Sequence, residues 1–116
     1  MEQNKYFNLV FYGTHVNRII NMYFSKKEYS FIGFKISKMK NKKYAAILEH
    51  KATKRKRIVN FGDNRYEQYK DSTGLGLYSD KNHLDKKRRE AYKTRHQKDI
   101  KDGFYNAGYF SMQYLW

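Results

Sequence analysis

His83, Asp85 and His96 are the residues of this chain whose types could break a bond. Arg95 and Asp99 stand close to them, and Asp63 and Asp71 lie upstream. Imidazoles and carboxylates of this kind can hold a divalent metal that activates water against a phosphodiester. On a helix running from residue 84, His96 and Asp99 share a side, and Asp85 shares one with Arg89. Neither spacing is diagnostic of a metal site, and the chain has no cysteine to offer as a thiolate ligand. Structural ion pairs and helix caps are the better reading of the set. A small metal-dependent nuclease on His83, Asp85 and His96 is kept as an alternative, with no metal or cofactor expected.

Two dense basic runs carry a different chemistry. Lys54, Arg55, Lys56 and Arg57 form the first, and Lys86, Lys87, Arg88 and Arg89 the second, widened by Lys93 and Arg95. Such side chains neutralise phosphates and release counterions, which gives salt-sensitive binding without sequence preference. Arginine also grips phosphate bidentately. A single run of this kind is usually a solvated face; two of them in a basic chain point to a polyanion. Tyr66, Tyr69, Tyr78, Tyr92 and Tyr105 interleave with Arg65, Lys70, Arg88 and Arg95. Exposed rings beside cations stack on the bases of a single strand, although in a leucine-poor chain such rings are better read as core. The stretch Ser72-Thr73-Gly74-Leu75-Gly76 has neither a Walker ending nor dinucleotide-binding spacing, and reads as a tight turn.

The elements that must position these groups divide the chain. The length of 116 residues suits one domain, with 1–61 mainly β and 62–116 loop, helix and tail. Residues 6–12 read as a strand, and 17–29 are ambiguous between strand and helix. Over Phe31–Met39, the residues Ile32, Phe34 and Ile36 alternate with polar or small ones at strand period. Lys38–Lys43 is a basic turn and Tyr44–His50 a buried strand. Lys54–Phe61 returns as a strand, with Ile58, Val59 and Phe61 entering the core. Residues 62–82 form an ordered loop with one helical turn. A helix follows over 84–98, capped by Asn82 with Asp85 three residues on, and its thin apolar stripe is Leu84, Ala91 and Tyr92. The aromatic tail Tyr105–Trp116 docks on the body. The expected fold is α+β: a small antiparallel sheet, one main basic helix and a docked aromatic tail.

The formal net charge is +14, and it is uneven. Residues 1–60 hold 14 Lys/Arg against Glu2, Glu28 and Glu49, while residues 61–116 hold 11 against 8 acids. Self-repulsion of that size costs stability until counterions or a partner neutralise it. AT-rich codon usage also favours lysine, asparagine and tyrosine, and accounts for part of the bias. Without cysteine there is no disulfide framework. The apolar stretch Phe7–Tyr12 is too short for a secretory leader. Nothing approaches the ~20 apolar residues of a membrane span.

The second half has a recognisable order of motifs. Phe61-Gly62 follows a basic hairpin, and His83-x-Asp85 precedes a helix with Arg88-Arg89, Tyr92 and Arg95-His96. The tail closes in Phe110-Ser111 and Leu115-Trp116. Over roughly residues 43–116 this resembles a family of small basic proteins of unknown function, encoded by large DNA viruses of the mimivirus and chlorovirus kinds and by some tailed phages. The resemblance implies a viral source and a virion or infected-cell setting, and brings no assigned activity. The expected function is non-enzymatic binding of nucleic acid or of a negatively charged virion surface through Lys54–Arg57 and Lys86–Arg89. A minor capsid or cement protein, with a capsid protein as partner and no nucleic-acid role, is the other alternative.

Overall fold

A computed structural model describes residues 22–116. The strand expected at 6–12 and the first part of the 17–29 segment lie outside the described residues. The elements are β1 (Phe24–Ser25), β2 (Tyr29–Ile36), β3 (Lys42–His50), β4 (Lys56–Asp63), α1 (Lys86–His96), β5 (Phe104–Tyr105) and α2 (Ala107–Tyr114). Strands β2, β3 and β4 form an antiparallel sheet in that order, and β1 pairs with β5 in a second, two-stranded one. The fold is α+β.

The meander follows from two tight turns. Asn41 (φ 66°) and Lys54 (φ 65°) occupy the left-handed region, which asparagine tolerates and lysine adopts only under local constraint. That constraint is visible at the β3–β4 turn: His50 Nδ1 accepts from the amides of Ala52 and Thr53, and the Lys54 amide donates to the His50 carbonyl.

The core gathers on one face of the sheet. Tyr44, Ala46 and Leu48 of β3 and Val59 and Phe61 of β4 are buried there against Phe110 and Leu115. Strand alternation corrects one expectation: Ile58 lies on the other face and is 41% exposed, while Val59 and Phe61 enter the core. A second correction concerns β2. Phe31 pairs with Leu48 but Gly33 with Ile47, so Ile32 is a bulge. The extra residue resets the alternation, and Phe31 and Phe34 both reach the core at odd spacing, with Phe31 5.2 Å from Phe110 and Phe34 5.6 Å from Phe61. Ile32 and Ile36 stay exposed.

Between β4 and α1 the loop is held by polar side chains, not by an apolar face. Gln68 is fully buried; its Nε2 donates to the Tyr78 carbonyl and to Asn82 Oδ1, each at 2.7 Å. Asn82 Oδ1 also accepts from the Asp71 amide. The Tyr44 hydroxyl donates to Asp71 Oδ2 and accepts from the Leu77 amide. Burial pushes the Asp71 carboxyl up, but donors from Tyr44, Thr73 and Tyr78 outweigh it and hold it below the usual range. The expected single helical turn is the 3-10 turn Ser79–Lys81.

The main helix is shorter than its sequence implies. Leu84 adopts φ 57° and is 58% exposed, which ends any helical path before Asp85. Asp85 is itself the cap: its Oδ1 accepts from the amides of Lys87 and Arg88 at 2.9 and 3.2 Å. Asn82 clamps the loop instead of capping. The helix ends at His96 and passes into a 3-10 turn over Gln97–Asp99. The aromatic tail docks as expected, but as β5 and the short α2, whose first turn is capped by Asn106 Oδ1 on the Tyr109 amide at 2.8 Å. No helix among the described residues is long and apolar enough to cross a membrane.

Candidate nucleic-acid interface

Helix α1 buries none of its residues. Over Lys86–His96 it carries Lys86, Lys87, Arg88, Arg89, Lys93 and Arg95 against the single acid Glu90. Four of those cations occupy the first turn, where the helix dipole disfavours positive charge. Ala91 and Leu84, expected in an apolar stripe, are exposed. What anchors the helix is aromatic. The Tyr92 ring stacks on Trp116 at 4.1 Å with planes 3° apart, and its hydroxyl pairs with Ser111 Oγ at 3.1 Å. Burial pushes the Tyr92 hydroxyl up in pKa. Arg89 Nε donates to the Trp116 backbone oxygen at 3.0 Å, and its guanidinium lies 4.6 Å from the Tyr69 ring centre.

These contacts extend into a ladder of rings. His83 meets Trp116 at 5.2 Å, and His96 meets the other side of Tyr92 at 4.3 Å. His83 and His96 therefore stand apart, separated by two rings. His83 Nδ1 accepts from the Asp85 amide at 2.9 Å, and His96 Nδ1 lies 2.9 Å from Asp99 Oδ2. Burial, then the Arg88 charge, push His83 down in pKa. His83, Asp85 and His96 serve as ring spacer, helix cap and hydrogen-bond partner of Asp99. Among the described residues no three His, Cys, Asp or Glu side chains converge as metal ligands would.

The two basic runs are not one patch. Lys54 and Arg55 sit in the β3–β4 turn, and Lys56 and Arg57 open β4, an edge strand. All four are exposed. The α1 run meets the opposite end of β4, where Gly62 and Asp63 share a cleft with Arg88. From Arg57 to Asp63 the strand covers roughly 20 Å at ~3.3 Å per residue. Within the runs, Arg88 pairs with Glu67 at 2.9 Å, Lys56 with Glu49 at 3.6 Å, and Arg89 is committed to Trp116. Lys54, Arg55, Arg57, Lys86, Lys87, Lys93 and Arg95 form no ion pair with a described residue.

The cleft at that end of β4 has a volume of about 320 Å³. Tyr66, Arg88, Tyr92, Arg95 and Trp116 line its sides, with Ser111, Leu115, Gly62 and Lys43 deeper in. Much of the motif read from the second half thus comes together here. Gly62 has a steric reason to be glycine: at φ +78° an added Cβ would lie 2.9 Å from Leu115 Cδ1 and 3.2 Å from Lys43 Cδ. Asp63 lies at the rim in a bidentate pair with Arg65, at 2.9 and 2.7 Å; those bonds hold its carboxyl down to about 2.

Two residues of this region escape a sequence reading. Lys43, expected in a basic turn, is the second residue of β3 and only 2% exposed. Its Nζ donates to Gln68 Oε1. The signal was the register of the hairpin, which sets Lys43 opposite Gly62; the sequence does not display that pairing. Gln68 looks like an ordinary loop residue and is the loop's central clamp.

No family model matches the chain, and no curated protein or solved structure shows significant similarity to it.

Proposed function

We propose that the protein binds nucleic acid without catalysing a reaction on it, through the solvent-facing cations of α1, with the β3–β4 turn as a second point of contact. The observation that carries this is the helix: it buries no residue, yet holds six cations on eleven residues. An element of that kind contributes little to the core. Its first-turn cations oppose the dipole and repel one another. Phosphates would relieve both effects. The ring contacts of Tyr92 and the Arg89 bond to Trp116 fix one side of the helix and leave Lys86, Lys87 and Lys93 toward solvent or a partner.

The test is a salt titration of a labelled oligonucleotide by fluorescence anisotropy. Affinity should fall steeply with salt, and Lys86→Ala with Lys87→Ala should lower the log–log slope by about 2, one for each phosphate no longer neutralised. A flat response would remove nucleic acid and favour the minor capsid reading. In the viral setting that the sequence resemblance implies, the same surface would meet packaged or replicating genome.

A further inference from the structure

The cleft beside α1 contains a buried cation with no ion-pair partner among the described residues. Lys43 is 2% exposed and forms part of the wall. Its ammonium has three N–H donors, and among the described residues the only acceptor it meets is Gln68 Oε1, a neutral amide. No carboxylate of the described residues lies within ion-pair distance of it. The burial pushes its pKa down to about 8, with Lys81 lowering it further and Asp63 and Asp71 partly offsetting this from a distance. A buried ammonium without a partner is costly, and a bound anion would relieve that cost. At the rim stands Arg95, exposed and without an ion pair to a described residue.

Three rings, those of Tyr66, Tyr92 and Trp116, share the lining with these cations, with Arg88 and with the arginine-paired carboxylates of Asp63 and Glu67. Tyr66 is 65% exposed, an unusual position for a ring of that size, with the Arg65 guanidinium 5.7 Å from its centre. Trp116 also lines the cleft, its ring held between Tyr92 and His83. A volume of about 320 Å³ lies at the low end of small-ligand sites. Aromatic walls with buried and rim cations match a planar ring that bears an anion.

We infer that this cleft takes one nucleotide of an unpaired strand, its base on the exposed Tyr66 ring and near Trp116, and its phosphate toward Arg95 and Lys43. The inference rests on the nucleic-acid reading of α1 and adds a preference for single strands, because a paired base cannot leave its stack without cost. Duplex would still be held by α1 through its phosphates.

Trp116 is the sole tryptophan of the chain, so its emission reports on the cleft directly. The experiment titrates the full chain with a single-stranded oligonucleotide, a duplex of equal length and AMP, following Trp116 emission and, separately, the anisotropy of labelled nucleic acid. The single strand should quench Trp116 saturably and the duplex should not. Tyr66→Ala, at an exposed position and with its fold checked by circular dichroism, should weaken single-strand binding roughly 5-fold to 150-fold, the range for losing one stacked base. Arg95→Gln should weaken quenching in the same direction. Quenching by AMP would support the pocket in isolation, whereas quenching by AMP alone would overturn the strand as its source. Salt-sensitive anisotropy with unchanged Trp116 emission overturns the cleft and leaves α1 as the binding element. Absence of binding in the anisotropy channel overturns both.

Discussion

Replacing Lys43 with methionine tests whether a stability cost is stored at the cleft. Folding lowers the Lys43 pKa from 10.5 to about 8. At 1.36 kcal/mol per pKa unit, keeping the ammonium charged inside the protein costs about 3 kcal/mol at neutral pH. Below pH 8 both folded and unfolded chains hold the proton and the whole cost applies. Between about 8 and 10.5 the folded chain has released it while the unfolded chain retains it, so stability rises with pH across that window. Above pH 10 the trend reverses: burial raises the Tyr44, Tyr92 and Tyr114 hydroxyls, so the unfolded chain ionises first. The wild-type protein should therefore be most stable near pH 10, where the rise from Lys43 ends and the loss from the tyrosines begins. Methionine keeps most of the stem without the charge, but leaves Gln68 Oε1 buried without its donor, which costs about 1–3 kcal/mol. The two effects nearly cancel at pH 7, so the decisive quantity is the slope. Urea unfolding from pH 7.5 to 9.5, above the range where His83 contributes, should show rising stability for the wild type and a flat line for Lys43→Met. A flat wild-type profile, or a variant that keeps the rise, would refute the account of Lys43 as an unpaired buried cation.

Gly62→Ala should destabilise the fold by about 2 kcal/mol or more, since a left-handed φ alone costs an L-residue about 1–2 kcal/mol and the added methyl meets Leu115 at 2.9 Å. Displacing Leu115 should also shift Trp116 emission, and a variant that unfolds at the wild-type urea midpoint with unchanged emission would show the packing there to be slack. Incubation of the protein with labelled DNA and Mg²⁺ or Mn²⁺, with and without chelator, should leave the substrate intact; cleavage that disappears in His83→Ala would restore the nuclease alternative.

How much of this the sequence displays depends on the range of the interaction. The strand at Tyr44–His50 is legible as a continuous apolar run, buried in succession from Lys43 to Ala46, and the return through Val59 and Phe61 because burial alternates there. The α1 helix is legible in its composition, but its start is not. Leu84 sits in a left-handed turn that no propensity favours, fixed by the hydrogen bond of its amide to the Tyr69 carbonyl. Ile32 misleads because a bulge inverts the alternation that the pattern assumes. The tail reads as apolar, but its helix is only Ala107–Tyr114, too short for periodicity to register. At the site, Arg88, Tyr92 and Arg95 could be singled out from their types and spacing. Lys43 could not, since hairpin register sets it; Tyr66 stands among the rings interleaved with cations, but which of those rings stays exposed is decided by the loop.

The near-balance of charge in residues 61–116 conceals a separation that only the fold reveals. Asp71 is buried under Tyr44 and Thr73, Asp85 is spent on a helix cap, and Asp99 faces His96. Asp63 and Glu67 are each neutralised by an arginine, Arg65 and Arg88. Five of the eight acids are thus turned inward or paired, whereas Lys86, Lys87, Lys93 and Arg95 on α1 have no ion-pair partner among the described residues. A formal excess of three charges therefore presents one strongly positive helix and not a diffuse weak field. Asp63 and Glu67 also line the cleft, but with Arg65 and Arg88 beside them they add little net charge there. The exposed positive charge of the lining left unpaired among the described residues is then Arg95, next to the exposed cations of α1, so the proposed phosphate contacts and the proposed cleft would be tested together by one salt titration.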